Sequence, residues 1–321
     1  MAKKSIKQTT LFLIAPCYNE EEVLPKTYSL FVNKINQLIK DKRISKDSKI
    51  VFVNDGSKDS TWNIIQDLSK NNKCVEGLCL SRNRGHQNAL LAGMLETKDL
   101  CDVVITLDCD GQHDINAVDE MLKQYENGYD VVYGIRNNRT GDSGFKKFCS
   151  ELYYKLLNAL GGEIIVNHAD YRLVSSKVLN EFKDFKEVNI FLRGLFPLVG
   201  FKSTTVHYDQ LDRQAGHSHY SISKMLTLAI DGITSLSIKP IRIITVFGLL
   251  VALLSFIGVI YSLAAYVAGK TVQGWASMTC IICFVSGIQL ISLGIIGEYV
   301  GKTYMETKQR PRYIISERTY Y

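Results

Sequence analysis

Two long stretches without a single charged side chain, Ile243 to Val267 and Trp275 to Ile296, constrain this chain more than any other feature. Each exceeds the ~20 apolar residues that a helix needs to cross a bilayer, so two membrane spans are expected near the C-terminal end. Ala268 to Gly274 between them carries only Lys270, whereas Lys239 and Arg242 precede the first span and Lys302, Lys308, Arg310 and Arg312 follow the second. That distribution of positive charge places both outer ends on the cytosolic side of a hairpin. Gln289, the one amide inside a span, reads as a bridge between helices.

What remains of the 321 residues, roughly 235, suffices for one sizeable soluble domain. The formal charge of +6 comes without a long basic tract, so the head groups of a lipid bilayer, and not nucleic acid, are the expected acidic partner. The eight cysteines are scattered and read as reduced thiols; Cys280 and Cys283 form a C-x-x-C, but inside an apolar run, as ordinary residues of a membrane helix. Lys3, Lys4 and Lys7 ahead of Leu11 to Ala15 imitate a signal peptide, yet five apolar residues are too few. A buried first strand ended by Pro16 is the better reading.

From Thr10 onward β-rich runs alternate with helical patterns, the signature of an α/β domain with a mostly parallel sheet. Strands are expected at Leu11–Ala15, Ile50–Val53, Val75–Leu80, Val103–Leu107 and Asp130–Tyr133, with helices near Ser60–Ser69, His86–Leu95 and Ile115–Tyr125. Asn19 and Glu22 resemble a capping box, followed by a stripe of Leu24, Tyr28, Phe31, Ile35 and Leu38. Two later segments are amphipathic, one with Phe145, Phe148, Leu152, Leu156 and Leu160, the other with Ile222, Met225, Leu226, Ala229, Ile230 and Ile233. Either suits a core helix or an interfacial one; nearness to the spans favours the interface for the second.

Polar motifs follow the strand ends, where open α/β sheets place their ligands. In Thr106-Leu107-Asp108-Cys109-Asp110-Gly111-Gln112-His113-Asp114, carboxylates one residue apart suit a hard cation shared with substrate phosphates, although an acidic turn has the same composition. In Val53-Asn54-Asp55-Gly56-Ser57-Lys58-Asp59-Ser60-Thr61, Gly56 permits a tight turn, and Asp59 or Ser60 suits a helix cap. Capping leaves Asp55 unexplained, and its carboxylate suits a base N–H or ribose hydroxyls. Tyr18, in Ala15-Pro16-Cys17-Tyr18-Asn19-Glu20, suits stacking on a base.

The ordered set Pro16-Cys17-Tyr18-Asn19-Glu20-Glu21, Asn54-Asp55-Gly56-Ser57, Arg82-Asn83-Arg84-Gly85 through Ala92-Gly93, Asp108-Cys109-Asp110-Gly111-Gln112 and Asp170-Tyr171-Arg172-Leu173 resembles the polyisoprenyl-phosphate glycosyltransferases. With the paired spans and Arg310-Pro311-Arg312-Tyr313, the resemblance covers nearly the whole chain and is nearest the bactoprenol branch. It implies a GT-A fold in which Pro16, Tyr18, Glu20, Val53 and Asp55 hold the nucleotide, while Asp108, Asp110 and Gln112 hold Mg2+ or Mn2+. It further implies phosphate contacts from Arg136 and from Arg213, in the segment Arg213 to Tyr220, whose planar forks suit phosphate oxygens. Ser218-His219-Tyr220 stands where the family has Ser-Lys-Tyr or Ser-Lys-Leu, so His219 or Lys224 must take over from a lysine. His86 likewise stands where relatives often carry lysine.

Asp170 matches a position proposed as catalytic base or acceptor organiser, and Asp110 is the other residue placed at the chemistry. A lipid phosphate is already largely ionised at neutral pH, its second pKa being near 6, so Asp170 reads as a positioner of the acceptor and of Arg172 or Arg213. The expected organisation is a GT-A domain over 1–220, an interfacial amphipathic helix over 221–240, a transmembrane hairpin over 241–300 and a basic cytosolic tail over 301–321. The resemblance implies an inverting transfer, in a bacterial cell membrane, from a UDP-sugar to undecaprenyl phosphate, by a chain that packs as a homotetramer. Glucose leads, N-acetylglucosamine follows and galactose or mannose stay open, donor choice lying in loops such as Arg136 to Ser143. The readings set against it are a processive synthase, which lacks its Gln-x-x-Arg-Trp element here, and a non-catalytic lipid-phosphate translocation or assembly subunit, which would not need Asp55, Asp108, Asp110 and Asp170 together.

Overall fold

The computed structural model describes residues 8–137, 168–187, 190–211, 234, 237–269 and 274–320. Its first half is built on β1 (Leu11–Cys17), β2 (Lys49–Asn54), β3 (Val75–Leu80) and β4 (Val103–Thr106), all parallel, with β1 between β2 and β4. The crossovers are α1 (Leu24–Lys40), α2 (Thr61–Asn71) and α3 (His86–Thr97). Helices cover both faces of the sheet, which is why β1 is apolar without alternation. Leu11, Leu13 and Ala15 enter one core, and Phe12 and Ile14 enter the other. In α1 the expected stripe is realised, with Leu24, Phe31, Ile35 and Leu38 buried.

The second half adds α4 (Ala117–Glu126), β5 (Val131–Arg136), β6 (His168–Ser175), α5 (Ser176–Phe182), α6 (Leu192–Leu198) and β7 (Ser203–Tyr208). β6 runs antiparallel between β4 and β5, and β7 pairs in parallel with β5 at the edge. The last strand, β8 (Ile315–Arg318), lies antiparallel to β3, giving one eight-stranded sheet in the order β7-β5-β6-β4-β1-β2-β3-β8.

α3 sits so close to the sheet that a Cβ on Gly93 would lie 2.3 Å from Ile14 Cγ2 and 2.9 Å from Val53 Cγ2. Gly93→Ala is therefore expected to cost about 1–3 kcal/mol through overpacking. Thermal unfolding of the detergent-solubilised chain checks this, and an unchanged Tm would show that α3 has room to move.

Three expectations change. Pro16 does not end β1, which runs on to Cys17; the ladder to β4 stops at Ile14↔Thr106, so the missing proline N–H has no partner strand waiting for it. Asn19 and Glu22 form no capping box, since α1 starts only at Leu24 and its N-cap, Val23, has no side-chain cap. The stretch 301–321, expected as a basic cytosolic tail, contains the end of a helix and a strand. Its first residues belong to a long helix and Ile315–Arg318 to the sheet, where the strand β8 satisfies the open edge of β3. The Gly77 N–H donates to Thr319 Oγ1 at 2.7 Å, Trp62 Nε1 to Glu317 at 3.0 Å, and Arg318 Nη2 to Glu96 at 2.5 Å.

The hairpin consists of α7 (Lys239–Val267) and α8 (Trp275–Thr307). Leu249, Leu254, Phe256 and Leu290 are each more than half exposed, apolar surface of the kind that lipid covers. The 33 residues of α8 span ~50 Å, longer than the ~30 Å hydrocarbon layer of a bilayer, and the charged Glu298, Lys302 and Glu306 fall in its final turns. There Tyr299 Oη donates to the Ser237 carbonyl at 2.6 Å, bringing the exit of α8 beside the entry of α7. The amphipathic stretches 145–160 and 222–233 lie outside the described residues, as do Cys149 and the 138–143 loop. Cys17, Cys74, Cys79, Cys101 and Cys109 are free thiols.

Candidate active site

The loops after β1, β2, β3 and β4 meet at the C-terminal edge of the parallel strands. Asn19, with φ of 54°, ties the first to the second: its N–H donates to Ser57 Oγ at 3.0 Å, and the Lys58 N–H donates to its Oδ1 at 2.9 Å. Asp55 ties the second to the third, accepting the Arg84 N–H at 2.7 Å and the Gly85 N–H at 2.9 Å. Burial raises its pKa, and these two amide bonds pull the other way. Gly56 makes the approach possible, because a Cβ there would lie 2.4 Å from Arg82 C and from Asn83 N.

Of the expected nucleotide contacts, Tyr18 is 41% exposed and Glu20 is half-buried. Pro16 and Val53 are buried in the sheet, so they offer a ligand only backbone. Asp55 faces the 82–85 loop with both oxygens engaged, which makes it first of all an organiser of these loops.

In the loop after β4 the side chains alternate. Cys109 is buried in the core, while Asp108 is part-exposed with its side chain at 30%. Gly111, at φ of 73°, turns the chain so that Asp110 Oδ1 accepts the Gln112 N–H at 3.0 Å. His113 is buried, its Nδ1 accepting the Asp108 N–H at 3.1 Å. Burial works against ionisation of Asp108, but the His113 and His86 rings beside it leave its pKa below the ordinary value. Burial also lowers the pKa of His113, against the pull of Asp108.

Asp170 reaches the same place from a distant part of the chain. β6 is antiparallel to β4 with Thr106 opposite Arg172, so Asp170 lies beyond the strand end, beside Asp108. His86 Nε2, at the start of α3, is 3.6 Å from Asp108 Oδ1 and 3.7 Å from Asp170 Oδ2. Asp170 is clamped by Arg172 Nη2 at 2.5 Å, Arg193 Nη2 at 2.9 Å and Gln87 Nε2 at 3.1 Å. Burial opposes its ionisation, but the Arg193 and Arg172 guanidinium groups hold its pKa well below the usual carboxylate range. Arg172 is buried with its guanidinium 5.0 Å from the centre of the Phe196 ring.

Arg136 ends β5 with its Nε donating to Tyr208 Oη at 3.2 Å. Arg213, Ser218, His219 and Lys224 lie outside the described residues. Gln87, Arg193 and Tyr208 were not expected from the sequence. Gln87 sits beside His86, whereas Arg193 lies in a seven-residue helix without a motif and is recruited only by tertiary packing.

The carboxylates of Asp108 and Asp110, followed by Gln112 on one loop, offer the hard oxygen donors that suit Mg2+ or Mn2+. Among the described residues no cluster of three or more His, Cys, Asp or Glu side chains could hold a metal ion.

The family model described as Glycosyl transferase family 2 matches residues 12–182, and the GtrB C-terminal hairpin matches residues 239–303. An uncharacterized glycosyltransferase of Bacillus subtilis (strain 168), YkoT, is 44% identical over 308 residues, covering 96% of this chain and 91% of that one. A bactoprenol glucosyl transferase of Shigella phage SfX is 38% identical over 308 residues, covering 95% and 98%. Among solved structures, a glucosyl-3-phosphoglycerate synthase from Mycobacterium tuberculosis is similar at 14% identity and a TM-score of 0.47, over 71% of this chain and 79% of that one. With more than half of its length in the first model and near-complete relatives on either side of 40% identity, this chain belongs to glycosyl transferase family 2, a GT-A domain joined to a GtrB-type C-terminal hairpin.

Proposed function

We propose that the chain transfers a hexose, glucose first, from a UDP-sugar to the phosphate of undecaprenyl phosphate, with inversion at the anomeric carbon. The observation that carries this reading is the 38% identity, over 95% of the chain, to a bactoprenol glucosyl transferase. The geometry agrees with it. A lipid phosphate oxygen forms the new bond to C1 as the bond from C1 to the UDP oxygen breaks, and the electron pair leaves with UDP. Mg2+ or Mn2+, held by Asp108, Asp110 and Gln112, supplies charge stabilisation for the departing diphosphate.

The protein needs no strong base for such an acceptor, because the attacking phosphate is already ionised at neutral pH. Asp170 suits that requirement, since a carboxylate clamped by two guanidinium groups is a poor proton acceptor and a rigid anchor. Together Asp170, Arg172 and Arg193 carry one net positive charge beside Asp108, which favours a phosphate there. Arg136, oriented by Tyr208, is a further phosphate contact, and Arg213, Ser218, His219 and Lys224 belong to the acceptor side. The catalytic domain and both chain ends lie on the cytosolic face, in keeping with Lys239, Arg242, Lys302, Lys308, Arg310 and Arg312 near the helix ends.

The test is to incubate the purified chain with undecaprenyl phosphate, Mn2+ and radiolabelled UDP-glucose, then extract the lipid. Label in the lipid phase that acid releases as glucose supports the proposal. If UDP-N-acetylglucosamine alone gives product, the reaction class stands and the sugar changes.

Tyr208→Phe isolates the part played by Arg136. It is expected to raise the KM for the UDP-sugar about 5- to 30-fold with little change in Tm, as loss of a hydrogen bond to a charged group worth about 1–2 kcal/mol implies. An unchanged KM would remove Arg136 from the donor site.

A further inference from the structure

His113 does more than fill the core. It is the last residue but one of the acidic loop, its side chain is 1% exposed, and its ring is fixed on every side. It stacks on Tyr171 at 4.9 Å and 15°, and meets Tyr208 edge-on at 5.5 Å and 83°. Because Nδ1 accepts the Asp108 N–H, it carries no proton, so the neutral ring bears its hydrogen on Nε2. That Nε2 is buried with no hydrogen-bond partner, and Asp108 Oδ2 lies 3.6 Å away. A buried donor left unmade is costly, and the large majority of buried polar groups have a partner.

The surrounding contacts brace the same loop. Tyr171 Oη donates to the Asp114 carbonyl at 3.1 Å, and the Leu211 N–H donates to the Gln112 carbonyl at 2.9 Å. His113 also forms an isolated antiparallel bridge with Gln210. The backbone of the loop is thus held at both ends, and Asp108 has its amide fixed while its carboxylate remains free to adjust.

We propose that His113 is the positioning residue for Asp108, its Nδ1 holding the Asp108 amide and its Nε2–H closing onto the Asp108 carboxylate when a divalent cation draws that carboxylate into place. The closure shortens the 3.6 Å separation to the roughly 2.7–2.9 Å of a charge-assisted hydrogen bond. A partner of this kind orients a ligand without touching the ion, and its loss commonly weakens metal affinity about 10- to 100-fold. The inference rests on the reading of Asp108 as a metal ligand.

The test is direct Mn2+ binding to the full chain in detergent, by electron paramagnetic resonance in the presence of UDP, alongside lipid glycosylation. His113→Phe keeps the stacked ring but has neither nitrogen, and is expected to weaken Mn2+ binding by at least about tenfold. His113→Asn restores an acceptor near the Nδ1 position and is expected to recover part of that loss, which a purely structural role would not produce. Unchanged Mn2+ affinity in folded His113→Phe would overturn the inference. If that variant does not fold, His113→Asn decides, with an acceptor near the Nδ1 position but no donor at Nε2: weakened binding supports the role and wild-type binding removes it. Wild-type chain that binds no Mn2+ and forms no lipid product would instead overturn the underlying reading of the site.

Discussion

Replacing Asp108 and Asp110 together by asparagine is expected to lower sugar transfer by about 10^3-fold or more while the protein stays folded. Charge stabilisation of a departing diphosphate is worth several kcal/mol, and each 1.4 kcal/mol is a factor of about ten in rate, so a loss of about 4 kcal/mol gives that figure. The substitution is nearly isosteric, and Asp108 is part-exposed, so no buried charge is stranded. Asp110 is less forgiving, since its Oδ1 accepts the Gln112 N–H, but an asparagine oxygen can accept the same bond. Steady-state transfer rates and thermal unfolding, read on the same preparation, separate lost chemistry from lost fold. Activity within tenfold of wild type would remove the pair from the reaction.

The second large effect falls on stability. Asp170→Ala is expected to destabilise the catalytic domain by about 3–5 kcal/mol, the usual result of removing one partner from a buried ion pair. Arg172 is 1% exposed, and its Nε and Nη1 have no hydrogen-bond partner, so loss of Asp170 leaves a buried cation without compensation. Arg193→Gln removes the more exposed of the two guanidinium groups, leaves the Arg172–Asp170 pair in place, and is expected to cost activity more than Tm. The pH dependence has a definite sign. The folded-state pKa of Asp170 is depressed well below 3.8, so its contribution is fully present above the unfolded value and is lost as pH falls through the folded one. Acid unfolding of wild type should therefore set in at lower pH than that of Asp170→Asn, and coincident acid transitions would contradict the clamp.

Much of the first half of the fold was legible because period and burial agreed. β1 to β5 and α1 to α4 fall within a few residues of their expected places, since each strand is a short apolar run and each helix carries a stripe. β6, β7, β8, α5 and α6 were not read as elements. Each has only four to eight residues, too few for a period to stand out, and three of them owe their form to pairing with strands remote in sequence. β8 was concealed further by Lys308, Arg310 and Arg312, whose charges suggested a basic cytosolic tail.

The candidate site divides in the same way. Asp55, Asp108, Asp110 and Asp170 stand in local motifs, and their chemistry announced a site. What the motifs could not convey is partnership. The engagement of Asp55 with the 82–85 loop, of Arg193 with Asp170 and of Tyr208 with Arg136 joins residues 29 to 72 positions apart in sequence, or more locally 23 apart across α6 and β6. Only the sheet register, with β6 antiparallel to β4, shows why Asp170 must lie beside Asp108.

The central claim is that one site joins a UDP-sugar to a lipid phosphate, and a donor panel tests it most directly. Purified chain would be given undecaprenyl phosphate, Mn2+ and, in turn, radiolabelled UDP-glucose, UDP-N-acetylglucosamine, UDP-galactose and GDP-mannose, with the Asp108→Asn, Asp110→Asn double variant as control. The predicted result is a glycosylated lipid phosphate from UDP-glucose, one UDP released per sugar transferred, inverted anomeric configuration, and no product from the control. Absence of lipid product from every donor, with the wild-type chain folded and binding UDP, would contradict the account.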